Sequence, residues 1–145
     1  MQTSHWKAAC RHAAALILGA AIVALSGAVA ASDMPGTLSG AEEVPPVATA
    51  AFGRSSIVVA ADRSVSGAVE TRDIDGTAAH IHLAAAGVNG PVVVPLTKTQ
   101  PGIWSVPPGT VFTPEQYTSY KAGQMYVNVH SATHSNGEIR VQLMP

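Results

Sequence analysis

The sequence predicts an all-β fold: an antiparallel, Greek-key-like β-sandwich or barrel of about seven or eight strands, with one short helix near residues 113–122. Two observations predict this class. Short apolar segments, several with period-two alternation, recur along the chain and are separated by glycine, proline and aspartate turns. Start and stop signals of a helix occur together in one segment. A chain of 145 residues with this pattern suits a single compact domain behind an N-terminal leader.

The first 30 residues are organised like a secretory signal peptide. Lys7 and Arg11 precede an apolar stretch over residues 13–25, and small residues up to Ala30 supply a cleavage signal. A membrane-spanning helix needs about 20 apolar residues, so an uncleaved membrane anchor is the less favoured alternative. We therefore expect a secreted or periplasmic domain over residues 31–145, with no membrane span after cleavage.

Charge and cysteine content exclude several classes of function. Two of the eight basic residues lie in the leader, whereas all nine acidic residues follow it. The domain has no basic stripe, so nucleic acid and anionic membranes are not expected partners. The single cysteine, Cys10, is also in the leader. A cysteine nucleophile, a thiolate metal ligand and a disulfide are therefore excluded for the domain.

Strand signals begin directly after the leader. Residues 37–41 are predicted to form a first short strand. Pro45 and Pro46 then exclude a central strand, because proline donates no backbone hydrogen bond. Residues 51–61 and 65–71 are predicted to pair as a hairpin, since both are apolar and a polar turn separates them.

The middle of the chain contributes two further predicted strands. Residues 77–83 follow an Asp75-Gly76 turn. Residues 91–96 are bounded by prolines, which predicts a short or edge strand. Residues 97–112 have no clear periodicity and are predicted to be a loop, with Trp104 as a plug or cover for the core.

The predicted helix carries signals at both ends. Thr113 is a suitable N-cap, Pro114 suits the first helical position, and Gln116 completes a capping box. Gly123 is expected to end the helix. The segment is short, so packing must hold it in place. The last two predicted strands cover residues 124–130 and 137–144.

Four of the six histidines lie in or beside two of the predicted strands. Side chains on a strand alternate between its faces, so His80 and His82 point one way and Ile81 the other. In the later strand His130 shares a face with Asn128 and Tyr126, opposite the apolar residues. Each of these strands therefore has one apolar face and one histidine-bearing face.

Three motifs in order resemble the CHRD domain, which is repeated in chordin and found singly in bacterial secreted proteins. The motifs are residues 43–47 with Gly53, residues 79–82 with 87–93, and residues 126–131 with 137–143. The resemblance spans roughly Leu38 to Leu143 and implies a secreted β-domain. In chordin the module belongs to an extracellular protein that binds growth factors. The family's activity is poorly defined, so the resemblance implies little about chemistry.

Two positions depart from the family pattern. The turn before Glu138 usually reads Asn-Pro-Gly-Gly, whereas here it contains His134. Val141 stands where the family often has glycine.

The histidines are candidate metal ligands. His80, His82 and His130 can form a three-nitrogen site, with His134 as a fourth ligand or a covering residue. An all-imidazole set suits copper or zinc better than calcium or magnesium. The polar residues that share the histidine face are expected to orient the rings, as outer groups of metal sites do; these are Asn128, Glu138 and Arg140.

Two alternatives remain open at the level of sequence. The same groups can form a purely structural polar network, with the domain acting as a non-catalytic module that binds an extracellular or envelope protein. The His-x-His pair with a third strand-borne histidine also resembles the copper ligands of copper/zinc superoxide dismutases. A bridging ligand and a carboxylate ligand are missing, so a dismutase-like oxidoreductase is less favoured. No nucleophile motif is present, and no catalytic residue is predicted.

Overall fold

The computed structural model describes residues 36–145, so the predicted signal peptide lies outside the described residues. The described part contains eleven strands, a short 3-10 helix and one α-helix. The 3-10 helix is Gly40–Glu42 and α1 is Pro114–Lys121. The strands are β1 (Thr37–Ser39), β2 (Phe52–Ser55), β3 (Val58–Val59), β4 (Val65–Ser66), β5 (Ala68–Arg72), β6 (Gly76–Leu83), β7 (Val92–Pro95), β8 (Thr97–Gln100), β9 (Ile103–Ser105), β10 (Met125–Ser131) and β11 (Ile139–Gln142).

Nine of these strands form one antiparallel sheet in the order β7-β6-β10-β11-β1-β2-β5-β9-β8. The two ends of this order, β7 and β8, are consecutive in the chain and are separated by Leu96 alone. Residues 92–100 therefore border both ends of the sheet, which curls into a nearly closed barrel. The remaining strands, β3 and β4, pair separately. The predicted all-β antiparallel class is confirmed, with more strands than expected.

The additional strands come partly from residues 97–112, which were expected to be a loop. Their first half forms the β8–β9 hairpin. Every residue of β8 is exposed and none is apolar, so no alternation signals the strand. Trp104 on β9 is buried, as expected of a core plug. The predicted strand over residues 51–61 is also divided, into β2 and β3.

The helix has the predicted N-terminus. The backbone N–H of Gln116 donates to the Thr113 hydroxyl at 3.2 Å, and the Gln116 side chain accepts from the Thr113 backbone N–H at 2.8 Å. This reciprocal pair satisfies two N–H groups that the helix itself leaves free. Gly123 follows the last turn with φ of +68°, which glycine adopts without strain. Within residues 36–145 no helix is long and apolar enough to cross a membrane.

Strands β6, β10 and β11 bury most residues of both faces, although His80 and His130 are half-buried. Ile81 pairs with Val127 inside the barrel, where both side chains are fully buried. The opposite face also excludes water: Asn128 is 2% exposed and Arg140 is 1% exposed. Two connecting segments cover this outer face, residues 43–49 and 84–90. Hydrogen bonds that involve Thr49, Arg140 and Gln142 hold them to it, and Asn89 joins the two segments through the carbonyl oxygen of Val44. The histidine face is therefore a polar layer between sheet and loops.

Candidate metal centre

Three of the four candidate ligands come together on the outer face of the barrel. His80 and His82 lie two residues apart on β6, and His130 lies on the neighbouring β10. His80 is directly opposite Asn128, which makes His130 its diagonal neighbour. One ring nitrogen from each histidine lies within 4.8 Å of the others. Strand geometry and register thus build the cluster on rigid elements.

A backbone carbonyl orients the imidazole of His82. The Nδ1–H of His82 donates to the carbonyl oxygen of Gly90 at 2.9 Å. This hydrogen bond fixes the tautomer and leaves the lone pair on Nε2. The ring is 7% exposed, and its Nε2 has no hydrogen-bond partner although it is buried. Buried polar atoms without a partner are rare, so this nitrogen is a ready ligand atom.

His130 is held in the same way. Its Nδ1–H donates to the carbonyl oxygen of Ser135 at 3.0 Å, so its Nε2 is left as an acceptor. The Nδ1 of His80 lies 3.0 Å from that Nε2 and donates to it. Two of the three rings are therefore anchored through Nδ1 to the backbone. Metal-binding histidines are commonly anchored through the nitrogen that does not face the ion.

The spacing of the three nitrogens is close to that of a metal site. Tetrahedral zinc with Zn–N bonds of about 2.0–2.1 Å separates neighbouring ligand nitrogens by about 3.3 Å. His80 and His130 approach to 3.0 Å, and no pair within the group exceeds 4.8 Å. Rotations that move each ring by about 1 Å would bring the set to the metal geometry. Neutral imidazole donors suit copper and zinc.

An aromatic and cationic stack supports the buried ring. Tyr126 stacks on His82 with ring centroids 4.7 Å apart and an interplanar angle of 4°. The guanidinium of Arg140 lies 3.4 Å from the centroid of the same tyrosine ring. The Tyr126 hydroxyl accepts from the backbone N–H of Gly90 at 3.3 Å. The backbone of Gly90 therefore joins the two rings: its N–H donates to Tyr126, and its carbonyl oxygen accepts from His82.

Arg140 connects this stack to the loop that covers it. Its guanidinium donates to the carbonyl oxygen of Ala85 and to the side-chain oxygen of Asn89, each at 3.3 Å. Asn89 in turn donates to the carbonyl oxygen of Val44 at 2.7 Å. Arg140 thus helps to position the histidines indirectly, by holding Tyr126 and the covering loop, and it does not contact an imidazole nitrogen itself.

Asn128, the second residue expected to orient the rings, lies inside the polar layer. It is almost fully buried and lies close enough to the side chains of His82 and Glu43 to influence the pKa of each. Glu43 is itself 4% exposed, and burial raises the pKa of its carboxyl group even though Asn128 opposes the rise. Asn128 therefore links the histidines to a buried acid.

Glu138 and His134 form a second group beside the trio. Glu138 accepts from the Thr49 hydroxyl at 2.7 Å and lies 3.4 Å from Nδ1 of His134. Burial raises the pKa of Glu138, but hydrogen bonds from Ser131 and Thr49 and the nearby His134 together hold it below its ordinary value. His134 is not among the three histidines whose nitrogens converge. Its role as a fourth ligand stays a prediction.

Two residues of the site carried no clear sequence signal. Gly90 appears in the sequence as an ordinary turn glycine, yet a Cβ there would overlap the carbonyl oxygen of Leu83. Glu43 stands beside the prolines in the sequence, and nothing local indicates that it reaches the histidine layer. The positions of Gly90 and Glu43 depend on how the covering segments fold over the sheet. Strand periodicity does not predict this.

The histidines should make the metal-free protein less stable in mild acid. Burial, the largest cause, lowers the pKa of His80 and His82 from the ordinary 6.5, and nearby His130 lowers both further. Histidines with a lowered folded-state pKa bind protons more readily when unfolded. The stability they give above pH 6.5 is therefore lost as the pH falls through the folded-state pKa values. We expect urea unfolding of the metal-free protein to show this loss below pH 6.5.

The matched variant is His80→Gln with His82→Gln, which removes both titrating groups and keeps polar side chains. Its stability should change less with pH over the same interval. An equally steep loss of stability in the variant would show that other groups cause the acid sensitivity.

Fold and site together describe a β-barrel module with a partly buried histidine cluster. The family model for the CHRD domain matches residues 34–143, nearly the whole described part of the chain. The chain belongs to the CHRD domain family, as its motifs predicted. No curated protein and no solved structure matches it significantly.

Proposed function

We propose that this protein is a secreted or periplasmic CHRD domain that binds one copper or zinc ion through His80, His82 and His130. The observation that carries the proposal is the convergence of three imidazole nitrogens within 4.8 Å on rigid strands. The backbone anchors on His82 and His130 support it, because they leave Nε2 of each ring available as a ligand atom. We propose binding without catalysis, since residues 36–145 contain no nucleophile motif.

Metal content tests the proposal directly. The purified protein is incubated with copper and with zinc, desalted and measured by elemental mass spectrometry. We expect about one equivalent of metal per chain, because three imidazoles plus one further ligand complete a tetrahedral site. The double variant His82→Ala with His130→Ala should retain none, since a single remaining histidine cannot hold the ion through desalting.

The control variant is His134→Ala, which removes a nearby histidine outside the converging trio. It should bind metal as the unmodified protein does if three histidines suffice, and more weakly if His134 is a fourth ligand. Far-ultraviolet circular dichroism confirms that each variant is folded. Absence of metal in the folded, unmodified protein would overturn the proposal and leave the histidines as a structural polar network.

A further inference from the structure

We infer that the metal ion keeps one coordination position open to solvent and that this position takes a small exogenous monoanion. The inference rests on the proposed function, because it concerns the ion held by His80, His82 and His130. Three features of the structure carry it: the number of ligands, the charge of the ligand set and the side from which the site can be reached.

The described residues supply three ligands and no fourth. Among the histidine, cysteine, aspartate and glutamate side chains of residues 36–145, none joins the converging trio. The two buried acids of the layer are not part of the trio: Glu138 accepts from Thr49, and Glu43 lies beside Asn128. Zinc and divalent copper take at least four ligands. The remaining position must therefore be filled from solution.

The charge of the site favours an anion over water in that position. All three donors are neutral imidazoles, so a bound dication keeps its full double charge. The guanidinium of Arg140 adds a positive charge behind Tyr126, 3.4 Å from that ring centroid. Of the two buried carboxylates in the layer, Glu43 has a pKa raised by burial, and Glu138 is engaged with Thr49 and His134, so neither lies among the converging ligand atoms. A monoanion bound directly to the ion reduces this uncompensated charge in a partly desolvated place.

The open side lies at the His80 and His130 end of the cluster. His82 is closed off by the Gly90 loop and by its stack with Tyr126. His80 and His130, in contrast, are only half-buried. A ligand can therefore approach the ion past these two rings. Because His82 closes the other side, the position suits a compact anion such as azide, formate or bicarbonate.

Azide binding to the copper-loaded protein tests the inference. The full protein is loaded with one equivalent of divalent copper, and sodium azide is titrated while the azide-to-copper charge-transfer absorption is followed. We expect a saturable band with one azide per copper, reached at millimolar azide, and reversed by competing formate. Azide displaces a bound water in this step, and no electron is transferred.

The outcomes separate the two proposals. A copper-loaded protein that develops no charge-transfer band at saturating azide has a closed coordination sphere, which overturns the inference and leaves the proposed function standing. A protein that takes up no copper overturns both. The His134→Ala variant distinguishes the cause of closure: an azide band that appears only in this variant would show that His134 occupies the fourth position, again contradicting the inference.

Discussion

Replacing Arg140 by alanine should lower the free energy of unfolding by about 3–5 kcal/mol, the range for truncating a large buried side chain and breaking its charged contacts. Arg140 is 1% exposed, and its guanidinium packs on the Tyr126 ring. Its loss would remove the hydrogen bonds to the carbonyl oxygen of Ala85 and the side-chain oxygen of Asn89 that hold the covering loop to the sheet. Urea denaturation followed by circular dichroism measures the change.

Two further variants separate the contributions. Arg140→Lys keeps the positive charge but loses the flat group that stacks on tyrosine, so it should recover only part of the stability. Arg72→Ala removes an exposed arginine on β5 and should change stability by no more than about 0.5 kcal/mol. A loss below about 1 kcal/mol in Arg140→Ala would contradict the view that this side chain holds the covering loop to the sheet.

Gly90→Ala should weaken metal binding and stability together. A Cβ at this position would overlap the carbonyl oxygen of Leu83 and crowd Ala84, so the backbone of the loop must move. That movement displaces the carbonyl that orients His82 and the N–H bound by Tyr126. Loss of such an orienting contact typically lowers metal affinity by about 10–100-fold. Overpacking of this kind costs about 1–3 kcal/mol.

The matched control is Gly87→Ala in the same loop. A Cβ there meets no atom within 4 Å, but its φ of +74° is unfavourable for alanine. This variant should lose about 1 kcal/mol of stability while its metal affinity stays unchanged. Zinc titration against a chromophoric chelator measures both affinities. Equal affinities for Gly90→Ala and the unmodified protein would show that the Gly90 carbonyl does not position the ligand.

Local rules predicted the parts of this protein that depend on neighbouring residues. The capping box of Thr113 and Gln116 involves residues three apart, and the structure contains it. The shared face of His80 and His82 follows from strand geometry alone. The pairing of His80 with Asn128, which brings His130 within reach, depends on the register between β6 and β10. Periodicity shows which face a residue occupies, not what lies across from it.

The parts that the sequence did not predict depend on distant segments. Arg140 alternates with apolar residues as a solvent-facing residue would, yet residues 84–90 fold over it. β8 has no apolar face and is a strand because its backbone pairs with β9. His134 lies in a turn, where no periodicity predicts the direction of a side chain. In the structure its side chain lies beside Glu138. Each outcome is set by long-range packing that a local pattern does not encode.

Strands β7 and β8 follow one another directly through Leu96, and this continuity affects the tendency of the protein to aggregate. Strands at the margin of an open sheet expose unpaired amide and carbonyl groups, which recruit strands of other molecules into aggregates. Here one chain segment forms both edge strands of the nine-stranded sheet, and each is only four residues long, which limits the edge that a second molecule can use. We expect proteolytic cleavage within residues 92–100 to open two margins at once. The intact protein should stay monodisperse, whereas the protein cleaved within residues 92–100 should assemble into fibrils.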